Sequence, residues 1–318
     1  MVSRHLKNIK DKYRPWLHRV KERIWRRKWF TNEKTPNTFK GMISCVDGKT
    51  WHGGMCDRFK GIISTYSYCK INGIPFRIKY DFPFNLCDYL LPNTYDWLLK
   101  DGEYSDSTYN SEILYLIGEV EETIKGRYRR PKCRQIHVYA NRNYLEAIGS
   151  EDKWGTLFKE LFKPGPRLTQ ALQELNYGKY IACVFRFQNL IGDFHEYDFQ
   201  PLDKYARELL LSKCEHAIRC MIESNPGKNI LVTSDSSTFL SRVKDLEQVI
   251  INPGEVIHID SEGNDNKHDA YLKSFIDFFT IGGAEKVYGM GTEEMYHSEF
   301  PLYAAKINDV PFERIIIK

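Results

Sequence analysis

An arginine stands near the end of an otherwise apolar segment in the second half of the chain. The segment Tyr180–Phe187 is typical of a buried β-strand, and Arg186 interrupts it. An arginine in such surroundings is costly unless its guanidinium reaches a partner or an open cleft. The planar guanidinium can bind a pyrophosphate through paired hydrogen bonds, or it can form a structural ion pair with a carboxylate. The sequence leaves both interpretations open.

Polar and glycine residues end two further strand-like segments in this half. Thr233–Ser236 ends the segment that begins at Asn229, and Gly289–Thr292 follows a short segment at Lys286–Tyr288. In an open parallel sheet, ligands bind outside the carboxyl ends of the strands, where helix N-termini can direct N–H groups at phosphate. The sequence therefore predicts a nucleotide pocket at this edge.

A glycine turn in the first half is the second candidate element. The run His52–Arg58 reads HGGMCDR and opens a predicted helix. Gly53 and Gly54 permit close approach of the backbone to a ligand, and the first turn of the helix offers unpaired N–H groups. Asp57 and Arg58 are interpreted either as ligand-binding groups or as ordinary surface charges.

These candidate residues need a scaffold, and strands alternate with helices along the chain in the pattern of an α/β protein with parallel sheets. The breaker cluster Lys163–Pro166 predicts a boundary between two Rossmann-like domains, residues 31–165 and 166–318. The predicted strands are Gly41–Val46, Pro75–Tyr80, Gln135–Ala140, Tyr180–Phe187, Asn229–Ser234, Gln248–Ile251 and Lys286–Tyr288. The predicted helices that follow the glycine turn are Glu112–Ile124, Trp154–Phe162, Leu168–Leu175, Lys204–Ile222, Ser237–Val243, Ala270–Ile281 and Ser298–Ala305.

Residues 1–30 are predicted to form a separate, basic amphipathic helix that bends at Pro15. This segment has eleven Lys or Arg residues against two acids. Its apolar residues recur at steps of three and four: Leu6, Ile9, Tyr13, Leu17, Val20 and Ile24. One interpretation is attachment to an anionic membrane surface, and the other is packing of the apolar stripe on the body of the protein.

Composition excludes several classes of protein. With 42% apolar and 28% charged residues, the chain is expected to be globular rather than disordered. No apolar run approaches a transmembrane length and no hydrophobic signal core is visible, so a cytoplasmic location is expected, peripheral to the plasma membrane if the basic helix binds lipid. Positive charge concentrates at one end, which argues against nucleic acid as a partner. The eight cysteines include no C-x-x-C pair, so no structural metal site is expected.

Two of the candidate elements resemble motifs of a known family. Gly53–Gly61 resembles the glycine-rich first motif of the fucosyltransferases of the nodulation-type, plant cell-wall and protein O-fucosylation superfamily. Phe185–Phe187, followed by Asn189 and Asp193, is similar to their second motif, an arginine just after a strand. That motif often carries two adjacent arginines, and here Phe187 takes the second place. Asn189 stands where the family has an acid.

The later motifs occur in the same order. Thr233–Asp235 resembles the third motif, although its hydroxyl-rich tail is only partly kept. Asp277–Phe279, then Tyr288–Gly291 and Ser298–Ala305, resemble the closing pattern of a helix, a short strand and a Ser-x-Phe stretch. The resemblance spans residues 51–305, nearly all of the globular chain.

The resemblance implies a GT-B-like arrangement, in which two Rossmann-like domains face each other across a cleft. It implies an inverting glycosyltransferase that moves fucose from GDP-fucose to a glycan or lipid-linked glycan, with no cofactor and no obligatory metal. The sequence also lacks a D-x-D triplet. By this analogy Arg186 would hold the β-phosphate of the departing GDP. The candidate donor-binding residues are Gly53, Gly54, Arg58, Asp193, Asp235, Ser236, Ser298 and Phe300.

The catalytic base is assigned from position alone. Asp57 and His52 flank the glycine turn, and an inverting transfer needs a carboxylate or histidine to accept the proton of the acceptor hydroxyl. We predict Asp57, with His52 as the other candidate. Three alternatives to the fucosyltransferase hypothesis stay open: another nucleotide sugar, a non-catalytic nucleotide- or glycan-binding protein, and a scaffold on a membrane surface.

Overall fold

The computed structural model describes residues 2–124, 126–193, 200–255 and 268–318. The helices are α1 (Val2–Trp29), α2 (Met55–Asn72), α3 (Glu121–Ile124), α4 (Trp154–Leu161), α5 (Pro166–Gln173), α6 (Lys204–Ser224), α7 (Ser237–Val243), α8 (His268–Gly282) and α9 (Phe300–Ile307). The strands are β1 (Gly41–Val46), β2 (Phe76–Tyr80), β3 (Leu90–Pro92), β4 (Ser111–Tyr115), β5 (Gln135–Tyr139), β6 (Phe162–Pro164), β7 (Tyr180–Phe185), β8 (Asn229–Ser234), β9 (Val249–Ile250), β10 (Val287–Gly291) and β11 (Phe312–Ile316).

The chain divides into two compact units, the first ending at Lys163 and the second beginning at Pro164. The first unit contains a four-stranded sheet in the order β2-β1-β5-β4, and every pairing in it is parallel. The second contains a five-stranded sheet in the order β11-β10-β7-β8-β9, again with parallel pairing. The predicted α/β class with parallel sheets is therefore confirmed.

The β1–α2–β2 crossover places the glycine turn at the carboxyl end of β1. All six residues of β1 are buried, as expected of a central parallel strand covered on both faces. Helix α2 packs closely here, because a Cβ at Gly61 would lie 1.8 Å from the carbonyl oxygen of Ala140. Gly73 ends the helix in the left-handed conformation, which is the usual role of glycine there.

The prediction of a helix over Glu112–Ile124 is wrong. Residues 111–115 form strand β4 at the edge of the first sheet, and only Glu121–Ile124 is helical. The run Ile113–Ile117 is buried throughout, and such a continuous apolar run suits a strand covered on both faces. Gly118 then takes a positive φ of 72°, which interrupts any helix at that point.

Helix α1 packs on the first unit through a polar and aromatic face. Nδ1 of His18 lies 2.5 Å from Oε2 of the buried Glu119, and Glu22 accepts the backbone N–H of Tyr115 at 2.8 Å. Arg127, also buried, donates to Glu22. The helix is continuous through Pro15. Packing on the body is thus established for one face of the helix, but this is not the predicted apolar stripe, since Tyr13, Leu17 and Ile24 are exposed.

The second unit is built around β7 and β8, which are flanked by α6 and α7. Phe185 and Phe187 stack at 6.2 Å between ring centroids, and both contact Phe239 of α7. The glycines predicted to follow a strand at Lys286–Tyr288 are instead part of it, because β10 continues to Gly291. Strand β11 was not predicted. No helix among the described residues is both long and apolar enough to cross a bilayer.

Candidate functional site

Arg186 and Asp235 meet at the carboxyl ends of β7 and β8. Each is the first residue after its strand, and the strands are paired in register, with Phe185 opposite Ser234. Nη1 of Arg186 lies 3.1 Å from Oδ2 of Asp235, whose side chain is 4% exposed against 21% for Arg186. The structural ion pair, one of the two interpretations of Arg186, is therefore present. Its arginine is partly exposed and its carboxylate is buried.

The carboxylate of Asp235 also holds the backbone that follows Arg186. Its Oδ1 accepts the N–H of Phe187 and its Oδ2 accepts the N–H of Gln188, both at 2.7 Å. Gln188 has a positive φ of 53°, so the turn departs sharply from the strand. Burial raises the pKa of Asp235, while Arg186 and the two N–H groups act in the opposite direction. The acid and the turn together fix the direction of the guanidinium.

A surface groove in the second unit contains Arg186 and Ser298. The groove is lined by Val184, Phe185, Arg186, Gly289, Met290, Tyr296, His297, Ser298, Pro301 and Arg314. Arg314, from β11, donates to the carbonyl oxygens of His297 and Ser298 at 3.2 Å each. The groove has a volume of about 10 Å³, room for roughly one water molecule, so a diphosphate would lie over it and beside its two arginines, which can neutralise its charge. Arg314 was not singled out from the sequence because β11 was not predicted, although the isoleucine run at residues 315–317 is a strand signal.

Ser236 and Asp193 lie together at the start of α7. Oγ of Ser236 caps the helix by accepting the N–H of Phe239 at 3.1 Å, and it donates to Oδ2 of Asp193 at 2.8 Å. The same Asp193 oxygen accepts the N–H of Thr238 at 2.8 Å. Side chains of the protein thus accept hydrogen bonds from N–H groups that were predicted to face phosphate. Asp193 and Ser236 here act as caps.

Two aromatic residues of the motifs lie in hydrophobic surroundings. The ring of Phe300 packs against Phe278 at 5.3 Å, and Ser298 accepts the N–H of Phe300 at 3.1 Å. Phe187, at the position where related motifs carry a second arginine, is fully buried. The second cation of the groove is supplied by Arg314, more than a hundred residues later in the chain.

The glycine turn forms a separate cluster in the first unit. Gly53 has a positive φ of 78°, and a Cβ there would lie 2.6 Å from Oδ2 of Asp57. Gly54 precedes α2 with open space around it and no side-chain cap on the helix. Oδ1 of Asp57 pairs with Nζ of Lys60 at 2.6 Å, and Lys60 is buried while Asp57 is 34% exposed at its side chain. Lys60 was not singled out from the sequence.

Arg58 lies in the core beneath the turn. Its Nε donates to the carbonyl oxygen of Gly53 at 2.8 Å, and its Nη1 donates to the carbonyl oxygen of Phe82 at 2.8 Å and to the hydroxyl of Tyr80 at 3.2 Å. Arg58 is 2% exposed, so the alternative of a surface charge is wrong. The described contacts of this guanidinium tie the turn to the end of β2.

His52 is also buried, and its Nε2 accepts the N–H of Gly48 at 3.2 Å. Burial, together with the nearby charge of Arg58, lowers the pKa of His52 to about 3. The imidazole is therefore neutral near pH 7, and its basicity is too low for efficient proton removal. The partly exposed Asp57 fits the part of general base better.

The predicted site residues thus fall into two clusters. Arg186, Asp235, Ser236 and Asp193 lie around the ends of β7 and β8, and Ser298 shares the groove of Arg186. The other cluster is the glycine turn of the first unit. Among the described residues, no group of three or more His, Cys, Asp or Glu side chains is placed to share a metal ion.

Comparison of the sequence with protein-family models and with curated proteins finds no match. Solved structures are similar in fold. A variant of Arabidopsis thaliana FUT1 in complex with GDP matches at a TM-score of 0.56 and 12% identity, covering 95% of this chain and 78% of FUT1. The fucosyltransferase NodZ from Bradyrhizobium matches at 0.52 and 14% identity, covering 84% and 93%. NodZ α-1,6-fucosyltransferase co-crystallized with GDP matches at 0.53 and 15% identity, covering 84% and 92%. The chain therefore has the fold of the GT-B fucosyltransferases.

Proposed function

We propose that this protein is a glycosyltransferase that transfers fucose from GDP-fucose to a glycan or lipid-linked glycan, with inversion at the sugar carbon and without an obligatory metal. One observation carries the proposal: in a chain with this fold, Arg186 is oriented by a buried acid and lines a surface groove at the carboxyl ends of parallel strands. Neighbours of this fold include NodZ soaked with GDP-fucose and FUT1 with GDP.

The donor site that we propose lies in the second unit. Arg186 contacts the diphosphate and stabilises the negative charge that grows on GDP as the bond to the sugar breaks. Arg314 adds a second positive charge to the groove and holds the segment that carries Ser298 through its two carbonyl contacts. In this proposal Ser298 donates a hydrogen bond to a phosphate oxygen.

The acceptor side is proposed to be the glycine turn of the first unit. The acceptor hydroxyl oxygen attacks the anomeric carbon from the face opposite GDP, and Asp57 accepts the hydroxyl proton. Lys60, which pairs with Asp57 at 2.6 Å, orients this carboxylate. Gly53 leaves the room that the carboxylate occupies, because a side chain at this position would collide with it.

The test is incubation of the full chain with a panel of GDP-fucose, GDP-mannose and UDP-glucose, followed by measurement of free GDP or UDP. The proposal expects GDP to be released from GDP-fucose in preference to the other two, and fucose to appear on an added glycan. Release of UDP alone would show a transferase for another sugar. Binding of nucleotide without release would indicate a non-catalytic protein.

A further inference from the structure

Helix α1 has two faces of different character, and only one of them packs on the protein. Successive helical residues are about 100° apart, so residues 13, 17, 20 and 24 share one side and residues 18, 22, 25 and 29 share the opposite side. The second side carries the buried His18 and Glu22 and the half-buried Trp25 and Trp29. The first side is left outside.

The outward face is unusually apolar for an exposed surface. Exposed fractions are 57% for Tyr13, 61% for Trp16, 47% for Leu17 and 56% for Ile24. An isolated exposed apolar residue needs no explanation, but a contiguous stripe of this kind marks an interaction surface.

Cations flank the stripe on both sides. The exposed Arg23 and Arg27 lie along one edge and the exposed Lys28 along the other, while Nζ of Lys21 lies over the inward rings of Trp25 and Tyr115 at 5.7 and 5.3 Å. Between residues 13 and 29 the one acid is Glu22, which is buried on the inward face against Arg127. The outward face therefore has positive charge without compensating negative charge, and aromatic residues lie between the cations.

We propose that the outward face of α1 docks on an anionic lipid surface, with the stripe in the interface and the flanking cations at the headgroups. Aromatic and aliphatic side chains enter the headgroup region, and Lys and Arg extend toward lipid phosphates. Charge complementarity selects a lipid surface over a second copy of this chain, because two copies meeting through this face would bring like charges together. The inference is independent of the proposed donor.

Point variants test the face better than a deletion, because removal of α1 would also strip Glu119 and Arg127 of buried partners. The apolar variant is Trp16→Gln/Leu17→Gln/Ile24→Gln, and the cation variant is Arg23→Gln/Arg27→Gln/Lys28→Gln. Matched controls replace exposed residues of the second unit. They are Tyr205→Gln/Leu209→Gln for the apolar change and Lys204→Gln/Lys213→Gln/Lys244→Gln for the charge change.

The measurement is co-sedimentation of the full chain with vesicles of phosphatidylcholine containing 30 or 0 mol% phosphatidylglycerol. We expect the wild-type protein to pellet with the anionic vesicles and to be released by salt. Each cation contributes about fivefold in affinity near such a surface, so the cation variant should bind on the order of a hundredfold more weakly. The apolar variant should lose at least tenfold, and both controls should pellet like the wild type.

Quenching of tryptophan fluorescence by brominated lipid gives an independent readout that requires no loss of function. In the wild type the part of the fluorescence that comes from Trp16 should be quenched, and this quenching should be absent in Trp16→Phe, because Trp25 and Trp29 lie on the inward face and the other three tryptophans lie outside α1. All variants should melt near the wild-type temperature.

Wild-type protein that stays in the supernatant at every composition overturns the proposal. So does an apolar variant that converts a dimer to a monomer in analytical ultracentrifugation while neither form pellets, since a second copy would then cover the face.

Discussion

The guanidinium of Arg186 is held 3.1 Å from a carboxylate, that of Asp235, which is itself buried and fixed by two backbone N–H groups. The sequence left open whether Arg186 binds a pyrophosphate or forms a structural ion pair, and this arrangement is compatible with both. The ion pair is structural, and it presents a partly exposed arginine to a groove. Loss of the arginine should therefore affect both stability and turnover, and the two effects can be separated.

Arg186→Ala should reduce kcat/KM with GDP-fucose by about 100- to 1,000-fold, the usual cost of losing a donor to a leaving group. It should also lower the free energy of unfolding by about 3–5 kcal/mol, because Asp235 stays buried after it loses its charged partner. Arg186→Lys should recover little turnover, since an ammonium lacks the paired donors. Steady-state kinetics and thermal melting on the same samples measure both effects.

The double variant Arg186→Ala/Asp235→Asn is the matched control for that experiment. Neutralising the acid removes the buried charge, so much of the lost stability should return, while turnover should stay low. A double variant that recovers turnover together with its melting temperature would show that Arg186 acts only through the fold.

A thermal-shift comparison of nucleotides should favour guanine. At about 100 times its dissociation constant, GDP should add roughly 2.7 kcal/mol to stability, a rise of several degrees in Tm. UDP at the same concentration should shift Tm little. In Arg186→Ala the GDP shift should largely disappear. A UDP shift without a GDP shift would contradict the proposed donor and leave the fold assignment intact.

The two glycines of the turn should respond differently to alanine. Gly53→Ala forces a Cβ into a positive φ and against Asp57, so we expect a loss of about 1–3 kcal/mol and a lower turnover. Gly54→Ala meets open space and should change stability by less than about 1 kcal/mol. Urea unfolding and donor turnover check both variants. Equal losses in the two would mean that the turn has another conformation.

Stability should fall in acid because of His52. Its folded-state pKa is about 3, below the unfolded value near 6.5, so the unfolded state binds the proton first as the pH falls. The contribution of His52 is fully present above about pH 6.5 and is lost toward pH 3, with a slope of about 1.4 kcal/mol per pH unit. Urea midpoints at pH 7 and pH 5 should show a smaller decrease in His52→Gln than in the wild type. His137, buried and with a pKa also lowered to about 3, should contribute equally in both.

Substitutions of Asp57 and His52 distinguish the two candidate bases. Asp57→Asn should reduce kcat by about 100-fold or more, within the range for loss of a general base, while His52→Gln should act mainly on stability. Rates with a chemically activated acceptor distinguish the cases, because a better nucleophile depends less on a base. An Asp57→Asn enzyme with an unchanged rate would remove Asp57 from the mechanism.

Much of the fold could be predicted from periodicity. The bounds of β1, β8 and α7 match the prediction to the residue, since β1 and β8 are largely apolar runs that turn residues follow and α7 begins after the capping residue Ser236. The segment at 111–124 failed because a continuous buried run does not distinguish a strand from a helix. The deciding facts, pairing with β5 and the positive φ of Gly118, are tertiary or conformational.

Most residues of the candidate site could be predicted from the sequence, but their hydrogen-bond and ion-pair partners could not. Arg186 and Asp235 were identified because each follows a strand, and their pairing depends on the register of β7 with β8. Arg58 was predicted either to bind the ligand or to be a surface charge, and its burial depends on carbonyl groups that no local pattern reveals. For α1 the sequence left open whether its apolar stripe packs on the body, and in the structure His18 and Glu22, on the other face, make that contact with partners far along the chain.

The long sequence separation between α1 and the residues on which it packs has a consequence for biosynthesis. The partners of the inward face of α1 follow it by 101 residues for His18 with Glu119 and by 105 for Glu22 with Arg127. At roughly 5–20 residues per second, the ribosome needs about 5–20 seconds to supply them. Throughout that interval both faces of the helix are uncovered on the nascent chain, so a chaperone or a lipid surface has time to engage α1 before the body of the protein can.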